Sequence, residues 1–329
     1  MPQPSYAYAC ARLSALHKRL LEPQTIQRML DGSASDAMRA LSDVRYGNLS
    51  DAAEADVELL IEREMADAMQ EVKELSPKPR ITDLFLLRAD VQNLKALLKA
   101  RLLNQTEIAF TPGGLFDRET LSAMVKDREY GALPDTIKEA VVKLEKRLEQ
   151  HAEPRTISVA LDRAYLAYAL KQSEKEPVFS QYFRAQADFD NVLTFLRLRA
   201  TGASIETLDE VILPEAGVKY RDLYNAYELS FESLNRVLGE SVCQEALLAG
   251  LNAMQRTGNI SEVEKARENY LVSLLSTHKY ESETIYPIVG YYLAKEREGR
   301  AVRLIVTGKR NGIPDSVLRE RLVKLYGER

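Results

Sequence analysis

Glycine and proline are sparse in this chain of 329 residues, 15 and 12 in all, and that shortage bears first on fold class. Strands need a turn every few residues, and turns draw on these two residues. Long runs of Ala, Leu, Glu, Lys and Arg point the same way, so the expected fold is all-α. Cysteine occurs only at Cys10 and Cys243, in no CxxC spacing, which excludes a disulfide scaffold and a cysteine-based zinc site and fits a reducing cytosol. Both read as small apolar core residues. No stretch approaches the roughly 20 apolar residues that a bilayer-spanning helix needs, and no basic segment followed by a hydrophobic core opens the chain. By itself it is expected to be cytosolic. An excess of one charge is missing as well: 45 Lys and Arg stand against 49 Asp and Glu, a net charge of −4, which excludes a general nucleic-acid binder.

Catalytic signatures are absent too. His17, His151 and His278 lie far apart with no HExxH or cysteine partner. Gly308-Lys309 lacks the earlier glycine of a phosphate loop and is followed by Arg310 where Ser or Thr is required. Asp188 and Asp190 beside Asn191 do not continue into a calcium loop, because Phe195 and Leu196 stand where later ligands belong. There is no GxSxG, GxGxxG or Cys-His-Asn arrangement. The expectation is therefore no catalytic residue, no cofactor and no metal.

What is present is a block repeated about a hundred residues apart. LFLLRADVQNLKALLKAR (Leu84 to Arg101), YFRAQADFDNVLTFLRLR (Tyr182 to Arg199) and YLAKEREGRAVRLIVTGK (Tyr292 to Lys309) align without a gap. An acid leads each core, Asp90, Asp188 and Glu298. Asn93 and Asn191 follow three residues later, replaced by Ala301 in the third copy. Leu94, Leu97 and Leu98 match Val192, Phe195 and Leu196, then Val302, Ile305 and Val306, the i, i+3, i+4 spacing of one helix face. Leu97, Phe195 and Ile305 are the expected equivalent core residues. A base closes each copy eleven residues after the acid, at Arg101, Arg199 and Lys309. Eleven residues are close to three turns, so acid and base share one side of the helix. A glycine and an apolar residue follow each block, Gly114-Leu115, Gly217-Val218 and Gly312-Ile313, and a second phrase, LSDVRYG ending at Gly47 and VKDREYG ending at Gly131, links the first two regions. A solvated helix edge would account for the acid and Asn; the structural alternative is that they satisfy backbone groups of a neighbouring helix end.

Further helices are expected over Tyr6 to Leu21, Thr25 to Leu30, Ala34 to Leu41, Ala52 to Leu75, Leu133 to Gln150 and Ile157 to Ser173. Pro77 and Pro79 mark one boundary, and KQSEKEP (Lys171 to Pro177) reads as an exposed junction. Residues 1–78 form a first lobe, 79–177 a second and 178–283 a third. The last block is cut short, and ring closure resolves this: 284–329 would complete the first lobe, giving three related lobes with pseudo-three-fold symmetry.

YAYACARLSALHKRLL near the start, DVQNLKALLKAR, FDNVLTFLRLRATG leading to ILPEAG, and YYLAKEREGRAVRLI near the end together make the chain similar to the C subunit of bacterial and archaeal V/A-type ATPases, whose eukaryotic counterpart is the d subunit. The likeness covers nearly the whole chain in order, with Gly299 and Ala301 departing from the acid-Asn pattern. The resemblance implies a funnel-like, all-helical, non-catalytic socket between the central stalk of the soluble ATPase and the membrane rotor ring. It would transmit torque for proton or sodium transport, as one copy per complex, a monomer in isolation, attached peripherally to the cytoplasmic face. The residues alone also leave open a free-standing helical scaffold or regulator, and a helical enzyme with an unrecognised site.

Overall fold

The computed structural model describes residues 4–48, 56–150, 153–229 and 234–326. Every regular element among them is helical. In chain order these are α1 (Tyr6–Leu16), α2 (Pro23–Asp31), α3 (Ala34–Asp43), α4 (Val57–Leu75), α5 (Pro79–Leu103), α6 (Arg118–Asp127), α7 (Asp135–Leu148), α8 (Pro154–Ser173), α9 (Pro177–Ala200), α10 (Glu206–Val211), α11 (Tyr220–Ala226), α12 (Leu234–Val237), α13 (Gln244–Thr257), α14 (Ser261–Ser276), α15 (Tyr286–Arg310) and α16 (Asp315–Arg321). The few prolines start helices instead of breaking them: Pro23, Pro79, Pro154 and Pro177 each stand first in theirs, where the missing N–H would have had no partner. Side-chain caps serve others. Ser5 accepts from Tyr8 N–H at the head of α1, and Ser33 with Asp36 forms a capping box on α3.

The sequence pattern carries the first helix through Leu21, but α1 ends at Leu16 and a tight 3-10 turn, His17–Arg19, follows. The expected start of the fourth helix at Ala52 lies outside the described residues, as does His151.

The chain divides into two compact units, Met1–Phe85 with Val272–Arg329, and Leu86–Leu271. In the first, α15 packs against α1, α2, α3, α4 and α16. It is buried along most of its length, from Pro287 and Ile288 to Val306 and Gly308, and keeps one narrow stripe, Arg300, Thr307 and Arg310, open to solvent. Against it α4 presents Leu60, Ile61, Met65, Ala68, Val72 and Leu75, a 3.6-residue stripe. In the second unit α9 takes the central place, packing on α8 and α10, while α7 covers α8. Phe179, Phe183, Phe189 and Phe195 of α9 are fully buried.

The three core positions read as equivalent are not equally buried. Phe195 and Ile305 are inaccessible, whereas Leu97 is only half-buried. On α5 the neighbouring Leu94 and Leu98 fill the core and leave Leu97 at the margin of the stripe.

Candidate functional site

The repeated polar residues take up backbone groups. On α5, Asp90 accepts from Leu115 N–H at 2.8 Å and Phe116 N–H at 3.2 Å. Asn93 pairs with both backbone groups of Thr111: its Nδ2 donates to the carbonyl at 2.9 Å and its Oδ1 accepts from the N–H at 2.7 Å. On α9 the arrangement recurs. Asp188 accepts from Gly217 and Val218 N–H at 2.9 and 2.8 Å and from the Ser241 hydroxyl at 2.7 Å. Asn191 spans Leu213, its Nδ2 donating to the carbonyl at 3.3 Å and its Oδ1 accepting from the N–H at 2.8 Å. These loop segments have no strand to pair with, so an amide side chain presenting one donor and one acceptor takes the partner's place.

The bases complete the pattern. Arg101 donates to the Val125 carbonyl at 2.6 Å and Arg199 to the Leu229 carbonyl at 3.0 Å. Each acid thus binds N–H groups just ahead of a short helix, α6 or α11, and each base reaches a carbonyl near that helix's end. The short helix is held at both ends, with charges that complement its dipole. Eleven residues at 1.5 Å each give about 16 Å, about the length of α6.

The third copy uses the same scheme with a different part of the chain. Glu298 accepts from Leu21 N–H at 2.5 Å, and Lys309 donates to the Leu30 carbonyl at 2.8 Å. The helix held here is α2, near the start of the sequence. The equivalence assigned to Gly312-Ile313 is therefore corrected to the segment around Leu21: Gly312, at φ 68°, ends α15, and Ile313 N–H donates back to the Gly308 carbonyl as a helix C-cap.

Glycine has a steric reason in the other two copies. A Cβ on Gly114 would lie 2.1 Å from Asp90 Oδ1, and one on Gly217 would lie 2.4 Å from the Glu240 carbonyl oxygen and the Ser241 Cα. The shared Tyr-Gly phrase also finds a role beside a buried glutamate, although through different groups. Gly47 N–H donates to Glu64 at 2.8 Å, and the Tyr130 hydroxyl donates to Glu145 at 2.5 Å. Glu145 also takes Arg101 at 2.5 Å.

The third copy adds a buried ion cluster that the repeat pattern does not announce. Lys295 Nζ lies 3.0 Å from both Glu64 and Glu298 and donates to the Arg19 carbonyl at 2.7 Å. All three side chains are buried. Two carboxylates share one buried ammonium. Burial pushes the Glu298 carboxyl up to about 7, against the opposing pull of Lys295 and Leu21 N–H. For Lys295, burial works against the charged form, but attraction by Glu298 and Glu64 outweighs it and the pKa rises. Asp188 is also raised, by burial, with Ser241 and two backbone N–H groups opposing. The signal for Lys295 was present in its spacing: it stands three residues before Glu298 and seven before Val302, on the core stripe itself.

The repeat residues do not gather into one site. Asp90, Asn93 and Arg101 serve one helix end pair, Asp188, Asn191 and Arg199 another, Glu298 and Lys309 the last. The arrangement fastens helices. No helix among the described residues is long and apolar enough to cross a membrane.

Comparison with known proteins yields a consistent picture. The family model described as ATP synthase (C/AC39) subunit matches residues 9–321. The C subunit of the V-type sodium ATPase of Enterococcus hirae is 22% identical over 312 residues, covering 93% of this chain and 94% of its own length. The C subunit of the A-type ATP synthase of Methanosarcina acetivorans is 23% identical, covering 97% and 93%, and that of Thermococcus onnurineus is 25% identical, covering 98% and 90%.

Proposed function

The chain belongs to the ATP synthase (C/AC39) subunit family, and from that premise we propose that it is the non-catalytic socket of a V/A-type rotary ATPase, joining the central stalk of the soluble head to the membrane rotor ring. The observation that carries this reading is the family match over residues 9–321, with relatives similar along nearly their full lengths. In this role the chain turns with stalk and ring, transmits torque for proton or sodium transport, and attaches peripherally at the cytoplasmic face, one copy per complex.

The three-lobed, funnel-like arrangement belongs to the same proposal, with 1–78 and 284–329 as one lobe and 79–177 and 178–283 as the others. Its support is the recurrence of one fastening, acid before a short helix and base at its end, on α5, α9 and α15. Such fastenings suit a torque-bearing part. A body that passes rotation must not yield internally, and hydrogen bonds between charged groups and backbone are among the stronger ones available, roughly 1.5 to 3 kcal/mol each where the charged group is buried, as Asp90 and Asp188 are.

The test is reconstitution of the complete ATPase with and without this chain, following ATP turnover beside ion uptake. Without it the head continues to hydrolyse ATP and the membrane stops pumping. Undiminished ATP-driven transport in its absence overturns the socket role and favours a scaffold.

A further inference from the structure

Around the turn that follows α1 lies a cavity of about 640 Å³, bounded by the α1–α2 connection and the turn between α3 and α4. Lys18, Arg19 and Arg45 line it, together with Glu22, Asn48 and Glu64. Among the described residues, Glu64 is already engaged by Lys295 and Arg19 has Asp67 nearby, which leaves Glu22 against the two cations Lys18 and Arg45. Arg19 donates to Asn48 Oδ1 at 3.2 Å and stands 3.8 Å from Asp67. Lys18 and Arg45 are exposed and have no ion pair among the described residues.

The backbone that presents Arg45 is held in an uncommon conformation. Arg45, Gly47 and Asn48 have φ of 54°, 75° and 53°. Left-handed conformations at non-glycine residues cost roughly 1 kcal/mol or more each and persist only when their surroundings over-determine them. Here Gly47 N–H is held by Glu64 at 2.8 Å, and Asn48 Nδ2 donates to Asp67 at 2.5 Å. The turn is therefore pinned from below while its cation faces outward. Val44 beside it is 46% exposed, an apolar contact at the edge of a basic mouth.

We propose that this cavity is a docking point for an acidic loop of a neighbouring subunit in the ATPase complex, with one or two Asp or Glu side chains entering between Lys18, Arg19 and Arg45. This rests on the function proposed above. A protein carboxylate fits better than a membrane surface for two reasons. The cations line a recess of about 640 Å³, a volume with room for whole side chains, where a lipid surface would need a flat array. The Asn48 amide and the acidic Glu22 and Glu64 within the same recess favour a singly charged group over a densely charged headgroup layer. Interface charges of this kind act on association rate, orientation and salt dependence.

The test uses the full-length chain and ATPase complexes stripped of it. Binding is measured by sedimentation at low and high salt for the wild type, for the double variant Lys18→Glu with Arg45→Glu, and for a control, Lys126→Glu with Lys143→Glu, on exposed positions of α6 and α7. Thermal melts confirm that all three fold. The expected result is about a tenfold loss of affinity for the first variant at low salt, shrinking at high salt, and little change for the control. Equal binding by wild type and first variant overturns the docking proposal, as does equal weakening by the control, which would signal general charge repulsion. Binding to vesicles of anionic lipid that disappears in the first variant, with binding to the stripped complex unchanged, also overturns it. Failure of the wild type to bind the stripped complex at all would instead sink the proposed function.

Discussion

Glu298→Gln nearly preserves the shape of the buried Glu64–Lys295–Glu298 cluster while removing its titration. In the folded chain the Glu298 carboxyl is pushed up to about 7 from an ordinary 4.5, chiefly by burial. Between those values the folded chain keeps a proton that the unfolded chain has released. The stability contribution is therefore fully present below the ordinary value and is lost as pH rises through about 7. Every tenfold difference in proton affinity between the two states corresponds to about 1.4 kcal/mol, so the whole window represents roughly 3 kcal/mol. Glu298 is 3% exposed, and solvent screening takes little from this. In the variant, the amide oxygen can still accept Leu21 N–H, and Lys295 retains Glu64. Urea unfolding of both proteins at pH values from about 5.5 to 7.5 should show the variant gaining on the wild type by about 2 kcal/mol as pH rises. His17, lowered mainly by burial, and Asp188 titrate in both proteins, so their contributions cancel in the comparison. A difference between variant and wild type that does not change with pH would refute the reasoning.

Lys295→Met should destabilise by about 3 to 5 kcal/mol in the same unfolding measurement, because it leaves Glu64 and Glu298 buried without their cation; a loss under about 1 kcal/mol would mean that water already reaches the cluster. Phe195→Ala should cost roughly 3 to 5 kcal/mol, since Phe195 is fully buried and packs edge-to-face on Tyr227 at 5.6 Å; a shift below about 1 kcal/mol would contradict that packing. Gly217→Ala should lower stability by about 1 to 3 kcal/mol, because the new methyl meets the Glu240 and Ser241 backbone, and an unchanged melting temperature would show that this approach is not tight.

Much of the chain was legible without coordinates because helices announce themselves locally. The scarcity of glycine and proline, the propensity of the long runs and the i, i+3, i+4 stripes are short-range properties, and they located the acid, Asn and base of each repeat along one helix face. They also suggested the chemistry of Asp90 with Asn93 and Asp188 with Asn191, whose residue types suit orphaned backbone groups. The tertiary structure decided which backbone groups those are. Thr111 and Leu213 pair with the two Asn side chains across loops of different length, and no periodicity encodes that choice. It also redirected the third copy: Glu298 and Lys309 hold α2 from the opposite end of the chain, a pairing over 277 and 279 residues that no local pattern can register. The same holds for Lys295, whose spacing placed it on the core stripe while its tolerance there depends on Glu64 arriving from α4. Helical periodicity is written within a few turns, whereas the partner of a buried charge is settled only when distant segments are packed together and water is excluded.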